Sequence, residues 1–398
     1  MDLRYSQSEQ RFRDEVRTWL DETVPTLPPR PDDDDWAGRR AFDTAWQRRL
    51  YEAGYAGIDW PTEVGGRGAT PTEHLIFLEE AEAAGAPYVG VNFVGSLHAG
   101  PTIISEGTPE QRERYLPPIL RGEDVWCQGF SEPGAGSDLA ALQTRAVRDG
   151  DHYVVNGQKI WTSFAQVADL CELLVRTDPD VPKHKGITWL ILPMDSPGIE
   201  VRPLRTIVGS SEFSEVFLSD VRVPVENRVG PENDGWRVAM VTFSFERGTA
   251  FVGELAQTQR LLRSLVDVAR RSGRGDGTAW DDPGLRREIG HLAADVDALW
   301  ALTKRNVTQA ERTGSPPGGG VSVSKLHYSE VRHRLGDLAM RLLGRAGMSF
   351  EDLAGLPGGE HVRGWFYAMS ISIAAGTSQV QRNIVAERIL GLPKEPSA

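Results

Sequence analysis

The sequence predicts an α+β protein built in the order helical, β, helical, and three observations carry that reading. Apolar residues recur at helical spacing through the first ~125 residues. Short β-branched runs and turn residues replace them from about Trp126 to about Gly230. Helical periodicity resumes at Trp236 and continues to about Leu390. The expected boundaries are 1–125, 126–230 and 231–398.

In the first third, Phe12, Val16, Trp19 and Leu20 mark one helix, and Phe42, Trp46, Leu50 and Ala53 a second. Gly54, Gly57, Pro61 and Gly65-Gly66 end the second unit. A third helix is expected near Thr72 to Ala84. Thr108-Pro109-Glu110-Gln111 reads as a helix start, with Thr108 as cap, Pro109 first in the helix and Gln111 closing the box. In the middle third, the Asn156-Gly157 pair between the apolar arms of Tyr153 to Trp161 predicts a hairpin turn. Leu170 to Arg176, Gly186 to Leu192 and Glu215 to Leu218 are strand candidates. No helical pattern separates them, so an antiparallel barrel or sandwich is expected. No Gly-x-Gly-x-x-Gly follows a strand and opens a helix, which excludes a Rossmann domain. In the last third, Ser272 to Gly277, Ser315 to Gly320 and Gly355 to Gly359 interrupt the helices as loops.

Apolar content of 40% and charged content of 25% fit an ordinary globular protein of 398 residues. The net charge of −12 argues against nucleic acid as the main partner, while leaving room for an anionic ligand at a local Arg cluster. Cys127 and Cys171 provide neither a disulfide framework nor a metal cluster, so no metal is expected. The N-terminus lacks the apolar core of a signal peptide, and no stretch approaches the roughly 20 apolar residues of a membrane span. A cytoplasmic location is the expectation.

Four segments carry chemistry. In Ala374-Ala375-Gly376-Thr377-Ser378-Gln379-Val380-Gln381-Arg382 a helix stops and restarts. Gly376 permits the break, and Ser378 with Gln381 has the form of a capping box for the next helix. In Cys127-Gln128-Gly129-Phe130-Ser131-Glu132-Pro133-Gly134-Ala135-Gly136-Ser137-Asp138 a strand ends near Phe130 and turns through Pro133, Gly134 and Gly136, presenting backbone N–H groups and small hydroxyls. Lys159-Ile160-Trp161-Thr162-Ser163 offers a broad aromatic plane beside two hydroxyls. Leu342-Leu343-Gly344-Arg345-Ala346-Gly347-Met348 ends a helix at two glycines.

Together these segments resemble the acyl-CoA dehydrogenase family, and the resemblance extends from about Tyr5 to Pro393. It implies a helical N-terminal domain, a central β-domain and a C-terminal four-helix bundle, with flavin adenine dinucleotide (FAD) between the last two. It implies that Gln128, Phe130 and Ser131 contact the isoalloxazine, that Trp161 covers one flavin face, and that Thr162 or Ser163 bonds near N5. Gly344 and Gly347 match the segment lining the flavin diphosphate, although Arg345 stands where a further glycine is usual. Thr377 and Gln379 match cofactor contacts, and Arg382 reads as a helix-face ion-pair residue. Ser137 would reach the thioester arm, and Phe243 and Arg247 are further substrate-binding candidates.

The family reaction forms a carbon–carbon double bond next to a thioester. A base takes the α-proton while the β-hydrogen leaves as hydride to flavin N5. Many members place a catalytic Glu where this chain has Ala375. The Ala375 N–H is retained and, by resemblance, binds the thioester oxygen. Glu246 is the replacement base. Its helical neighbours Thr242, Phe243, Thr249 and Ala250 are apolar or small, and Glu246-Arg247 matches the placement in isovaleryl-CoA dehydrogenase and its relatives. Gly90, Gly95, Ala99 and Gly100, in the segment expected to line the acyl end, read as room for a bulky or branched chain.

The family's usual Arg-x-x-Phe-Gly is altered here to Arg270-Arg271-Ser272-Gly273-Arg274-Gly275-Asp276-Gly277. A homo- or hetero-oligomer is expected, with electron-transfer flavoprotein or a similar acceptor. Three alternatives stand beside acyl-CoA dehydrogenation: a dehydrogenase of carrier-protein thioesters, a flavin monooxygenase, and a subunit that completes a partner's flavin site.

Overall fold

The computed structural model describes residues 5–246, 252–313, 320–353 and 355–394, with backbone alone for Phe245 and Glu246. The chain forms two compact units. One comprises Arg17–Thr70 and Ala84–Arg247, the other Met1–Val16, Pro71–Ala83 and Gly248–Ala398.

The helices of the first third are α1 (Gln7–Thr23), α2 (Trp36–Glu52), α3 (Pro71–Ala83), α4 (Gly100–Glu106) and α5 (Pro109–Arg121). The start of α5 follows the sequence reading. Thr108 Oγ1 accepts from Gln111 N at 3.2 Å, and Gln111 Oε1 accepts from Thr108 N at 3.0 Å.

The sheet consists of β1 (Trp126–Gly129), β2 (Arg145–Asp149), β3 (His152–Ser163), β4 (Leu170–Arg176), β5 (Ile187–Pro193), β6 (Ile199–Leu204), β7 (Phe213–Pro224) and β8 (Arg228–Val229). Its order is β6-β7-β3-β2-β4-β5-β8, with β1 also on β4. Most pairings are antiparallel, as expected, but β1 and β2 both run parallel to β4. β1 pairs with β4 from Trp126↔Leu170 to Gly129↔Leu173, and β2 meets it at Arg145↔Arg176. Residues 130–144 are thus an excursion between two strands that share one side of β4. β4 and β5 are almost wholly buried, and Cys171, Leu173, Val175, Leu190 and Leu192 join Tyr153, Val155, Val216 and Val221 in the core. Cys127 and Cys171 are free thiols in this core.

The hairpin expected at Asn156-Gly157 is absent. β3 runs straight through that pair, and the register shifts there instead. Asn156 trades hydrogen bonds with Asp220 on β7, at 2.9 Å in both directions. A Cβ on Gly157 would fall 2.7 Å from Thr144 Cα, so glycine serves close approach rather than a turn. The reversal from β2 to β3 is made at Gly150-Asp151, with Gly150 at φ +63°.

After the sheet come α6 (Gly235–Glu246), α7 (Val252–Arg271), a small hairpin of β9 (Gly273–Arg274) and β10 (Gly277–Thr278), α8 (Pro283–Thr313), α9 (Gly320–Leu343), α10 (Gly358–Ile371) and α11 (Ser378–Ile384). On α8 the buried residues Leu285, Ile289, Leu292, Val296 and Leu299 alternate spacings of four and three, which puts them on one stripe. They pack with Leu261, Leu265 and Val268 of α7, Val331, Leu335 and Leu338 of α9, and Val362 of α10. This is the expected helical bundle. Most of the loop expected at Ser315 to Gly320 lies outside the described residues.

Candidate active site

The excursion after β1 is braced by a buried ion pair. The Glu132 carboxylate accepts from Gln143 N at 2.7 Å, Thr144 N at 2.8 Å and Lys159 Nζ at 2.8 Å. Lys159, fully buried on β3, also donates to the Phe130 carbonyl at 3.2 Å. Burial opposes charge on Glu132, but Lys159 and the N–H donors outweigh it and hold the carboxyl below its ordinary range. Reciprocal backbone bonds between Glu132 and Ala135 close the turn through Pro133 and Gly134. A Cβ on Gly134 or Gly136 would meet nothing within 4 Å, so the backbone here faces open space. The turn also walls a cleft of about 400 Å³ lined by Glu132, Pro133, Gln143 and Gln158. None of the sequence-predicted site residues lines it.

Ser131 and the Trp161 segment are brought together, since Ile160 N donates to Ser131 O at 2.9 Å. The β3–β7 register shifts between Lys159 and Thr162, and Trp161 there takes φ +61°. A non-glycine residue in that region is uncommon. The result is a Trp ring that is 57% exposed, held edge-on by Phe213 at 6.0 Å. Next to it, Thr162 is fully buried, and its Oγ1 finds no hydrogen-bond partner among the described residues.

Phe130 meets Phe243 of α6 edge to face, with ring centroids 5.9 Å apart. One residue earlier on α6, the Thr242 hydroxyl lies 2.8 Å from that of Thr102 on α4. Glu246 is the last residue of α6, one turn beyond Thr242 and Phe243. Its side chain and Arg247 lie outside the described residues. Ser137 is exposed on the open side of the signature turn.

Gln128 points elsewhere. Its amide donates to Glu172 at 2.7 Å and lies 3.0 Å from His98 Nδ1. Sequence reasoning missed His98 and Glu172, both buried. A signal existed, because Glu172 is the lone carboxylate in the apolar run Leu170 to Val175. The glycines read as room for substrate are a correction. A Cβ on Gly90 would strike Asp43, on Gly95 would press on Trp126, and on Gly100 would overlap Trp60. These glycines admit neighbouring side chains, not a ligand.

In the other unit, the helix break after α10 is sharper than expected. Ala375 has φ +51° and Gly376 φ +83°, so two consecutive residues are left-handed. The cap of α11 is Thr377, not Ser378, with Oγ1 accepting from Val380 N at 3.2 Å. Thr377 carries the extended backbone a cap requires, whereas Ser378 is already helical. Gln381 reaches back past Ser378 to donate to the Ala375 carbonyl at 2.9 Å. Gln379 is exposed on α11. Gly344 opens a short 3₁₀ turn at φ +53°, and Gly347 packs against Met340. Arg382 pairs with Glu330 at 2.7 Å on the surface, as read from the sequence. Arg270 lies over the Trp280 ring at 5.1 Å, and residues 273–278 form the β9–β10 hairpin.

Three family models cover the chain nearly end to end: acyl-CoA dehydrogenase N-terminal domain over residues 6–123, middle domain over 127–221 and C-terminal domain over 233–390. The chain belongs to the acyl-CoA dehydrogenase family. It is similar to acyl-CoA dehydrogenase IpdE1 of Mycobacterium tuberculosis, at 39% identity over 98% of this chain and 99% of that one. It is also similar to acyl-CoA dehydrogenase FadE26 of the same organism, at 35% identity over 99% of both. Among solved structures, the ChsE4–ChsE5 complex from Mycobacterium tuberculosis matches with TM-score 0.85 and 34% identity, over 99% of this chain and 100% of that one. A structure named Tcur3481–Tcur3483 steroid ACAD matches with TM-score 0.84 and 33% identity, over the same shares. The protein is therefore an oxidoreductase acting on CH–CH bonds.

Members of this family are flavoproteins, and the residues present suit such a group. A buried hydroxyl awaits a partner at Thr162, an aromatic plane is turned outward at Trp161, and the backbone is open at Gly134 and Gly136. Among the described residues, no group of His, Cys, Asp and Glu could hold a metal ion, and no helix is long and apolar enough to cross a membrane.

Proposed function

We propose that this protein is an FAD-dependent dehydrogenase that forms the α,β double bond of an acyl-CoA thioester, with Glu246 as the base. The observation that carries the flavin reading is the Thr162 hydroxyl, buried without a partner beside the outward Trp161. Phe130, Ser131, Trp161, Thr162 and Ser163 are assigned to the flavin ring, Gly344, Gly347, Thr377 and Gln379 to the rest of the cofactor. Gln128 would contribute through its backbone, since its amide is engaged with Glu172. When bound, the flavin supplies the acceptor for the β-hydride.

The chain's own residues supply the rest. Ser137, Phe243 and Arg247 orient the thioester arm and acyl chain. The Ala375 N–H donates to the thioester oxygen, where charge develops as the α-carbon loses its proton. Glu246 takes that proton; a carboxylate shielded from water is basic enough for the role. Similarity to the Tcur3481–Tcur3483 steroid ACAD favours a bulky acyl group. An anaerobic acyl-CoA panel tests the proposal. Bleaching of the yellow protein by a thioester, lost in Glu246→Gln and kept in Ser244→Ala, is the expected result; an unchanged rate in Glu246→Gln defeats the base assignment.

A second reading, a subunit sharing its flavin with a different chain, is favoured by the altered Arg270 to Gly277 segment and by similarity to two structures named as pairs. A chain that is colourless alone and yellow with a co-expressed homologue would establish it.

A further inference from the structure

Arg332 of α9 lies inside the helical bundle, 2% exposed. Arginine is almost never buried to that degree without a paired anion. Here Nη1 makes all the hydrogen bonds, donating to the Tyr328 hydroxyl at 3.1 Å and to Gln257 Oε1 and Thr258 Oγ1 at 3.4 Å each. Burial raises the Tyr328 hydroxyl well above its ordinary range, with Glu254 adding to the rise and Arg332 opposing it, so all three acceptors are neutral. Glu254 of α7 accepts from the Tyr367 hydroxyl at 3.2 Å. Neither Glu254 nor any other carboxylate among the described residues comes within 4.0 Å of the Arg332 nitrogens.

The remaining donors share one edge. Nε is buried and meets no acceptor, and none meets Nη2 among the described residues. Nε–H and Nη2–H lie side by side on the guanidinium, the pair that grips a carboxylate through two parallel bonds. A Cβ on Gly364 of α10 would stand 4.0 Å from Nη2, so glycine leaves that flank uncrowded. The Tyr367 ring lies over the guanidinium at 5.7 Å and is itself exposed, so on that side one aromatic ring separates the cation from the surface of its unit.

Three contacts relate this edge to the Ala375-Gly376 turn. Lys325 meets the Gly376 carbonyl at 2.6 Å, Ser329 meets the Ile371 carbonyl at 3.5 Å, and Arg332 meets the Tyr367 ring. α9 and α10 thus run down together from the turn. Lys325 and Arg332 are two turns apart on one face of α9, about 10 Å along its axis.

We propose that Arg332 is a specificity residue that receives a carboxylate at the far end of the acyl chain, which makes the substrate the thioester of a dicarboxylic acid. The proposal rests on the thioester seat assigned to the Ala375 N–H above. A chain that starts there and spans the two turns of α9 brings its distal carboxylate to the open edge, with Tyr367 swung aside to admit it. One guanidinium matches one negative charge, which suits a carboxylate better than a phosphate.

The test uses the flavin-loaded protein, with its partner chain if one is needed. KM is compared for suberyl-CoA and octanoyl-CoA, which have equal carbon counts and differ in the distal carboxylate, and free suberate is titrated by calorimetry. Wild type is expected to favour suberyl-CoA by about tenfold or more, and Arg332→Gln to lose that preference. A merely structural role for Arg332 would weaken both thioesters alike; an unchanged ratio in Arg332→Gln, or equal KM values in wild type, overturns the proposal. Should Arg332→Gln fail to fold by circular dichroism, Arg332→Lys, which keeps the cation and gives up the paired edge, decides the matter, and a ratio equal to wild type overturns the proposal. Suberate binding beside equal KM values overturns the substrate assignment in favour of a free carboxylate. When neither thioester bleaches the flavin, the underlying thioester reading has failed instead; suberate binding that is lost in the variant then upholds the carboxylate seat alone, and its absence overturns that as well.

Discussion

The rings of Phe130 and Phe243 meet edge to face at 5.9 Å, joining the end of the signature strand to the helix that carries Glu246. Such a pair contributes about 0.5–1.5 kcal/mol beyond its buried area. Phe243→Leu keeps most of the apolar volume and loses the edge-to-face geometry. The expected outcome is a stability loss of about 1 kcal/mol by urea denaturation together with a rise in KM of roughly tenfold. An unchanged KM would reduce Phe243 to a packing residue.

The Thr102–Thr242 hydroxyl pair ties α4 to α6 one turn before Glu246. Thr102 keeps a second bond, to the His98 carbonyl at 2.7 Å, when Thr242 is lost. Thr242→Val is isosteric and should therefore cost only about 1 kcal/mol. In a double-mutant cycle with Thr102→Val the two changes should be non-additive by at least 0.5 kcal/mol. Additive losses would mean the hydroxyls do not interact.

Lys159→Met leaves the Glu132 carboxylate buried with its N–H donors and no cation. Breaking one side of a buried pair typically costs about 3–5 kcal/mol, so a loss of that size in unfolding free energy, measured by denaturant titration, is expected. Glu132→Gln with Lys159→Met should be milder than Lys159→Met alone, since no unpaired charge remains.

His361 of α10 is buried, with Nε2 3.0 Å from the Ser264 hydroxyl. Burial pushes its pKa below the ordinary histidine value, against a smaller upward pull from Glu360 and Asp352. The unfolded chain then binds more protons than the folded one in the window below about 6.5. Stability should be full above that pH and fall as pH drops through the folded value. His361→Gln should flatten this part of the profile; an identical profile would show that other groups cause it.

Ala375 in left-handed conformation costs about 1 kcal/mol or more, while glycine there would lose about as much through its freer unfolded state. Ala375→Gly should therefore be nearly neutral in thermal melts. Ala375→Val, with a branched Cβ in the same backbone region, should destabilise by at least 1–2 kcal/mol. Equal melting of the two would argue against the left-handed turn.

Local signals of one kind were legible in the sequence. The Thr108 box and the apolar run of β4 each depend on residues close in the chain, and each was placed correctly. The misreadings concern residues whose meaning depends on distant neighbours. Asn156-Gly157 carries the composition of a turn, yet Thr144 and Asp220 make it a bulge. Gly90, Gly95 and Gly100 look like space until Asp43, Trp126 and Trp60 fill it. The capping box was misplaced by one residue because Ser378 and Thr377 are equally good caps in composition, and only the backbone distinguishes them.

β1 and β2 are both pinned to the same edge of β4, so residues 130–144 must leave Leu173 and return at Arg176. Surface loops usually tolerate insertions and deletions. This one does not have that freedom, because a single residue gained or lost must either slide β2 along its neighbours, exchanging its buried and solvent faces, or pull Glu132 off Lys159. The segment's length is thereby inherited with the sheet, and variation between relatives is expected at the Gly150-Asp151 reversal instead.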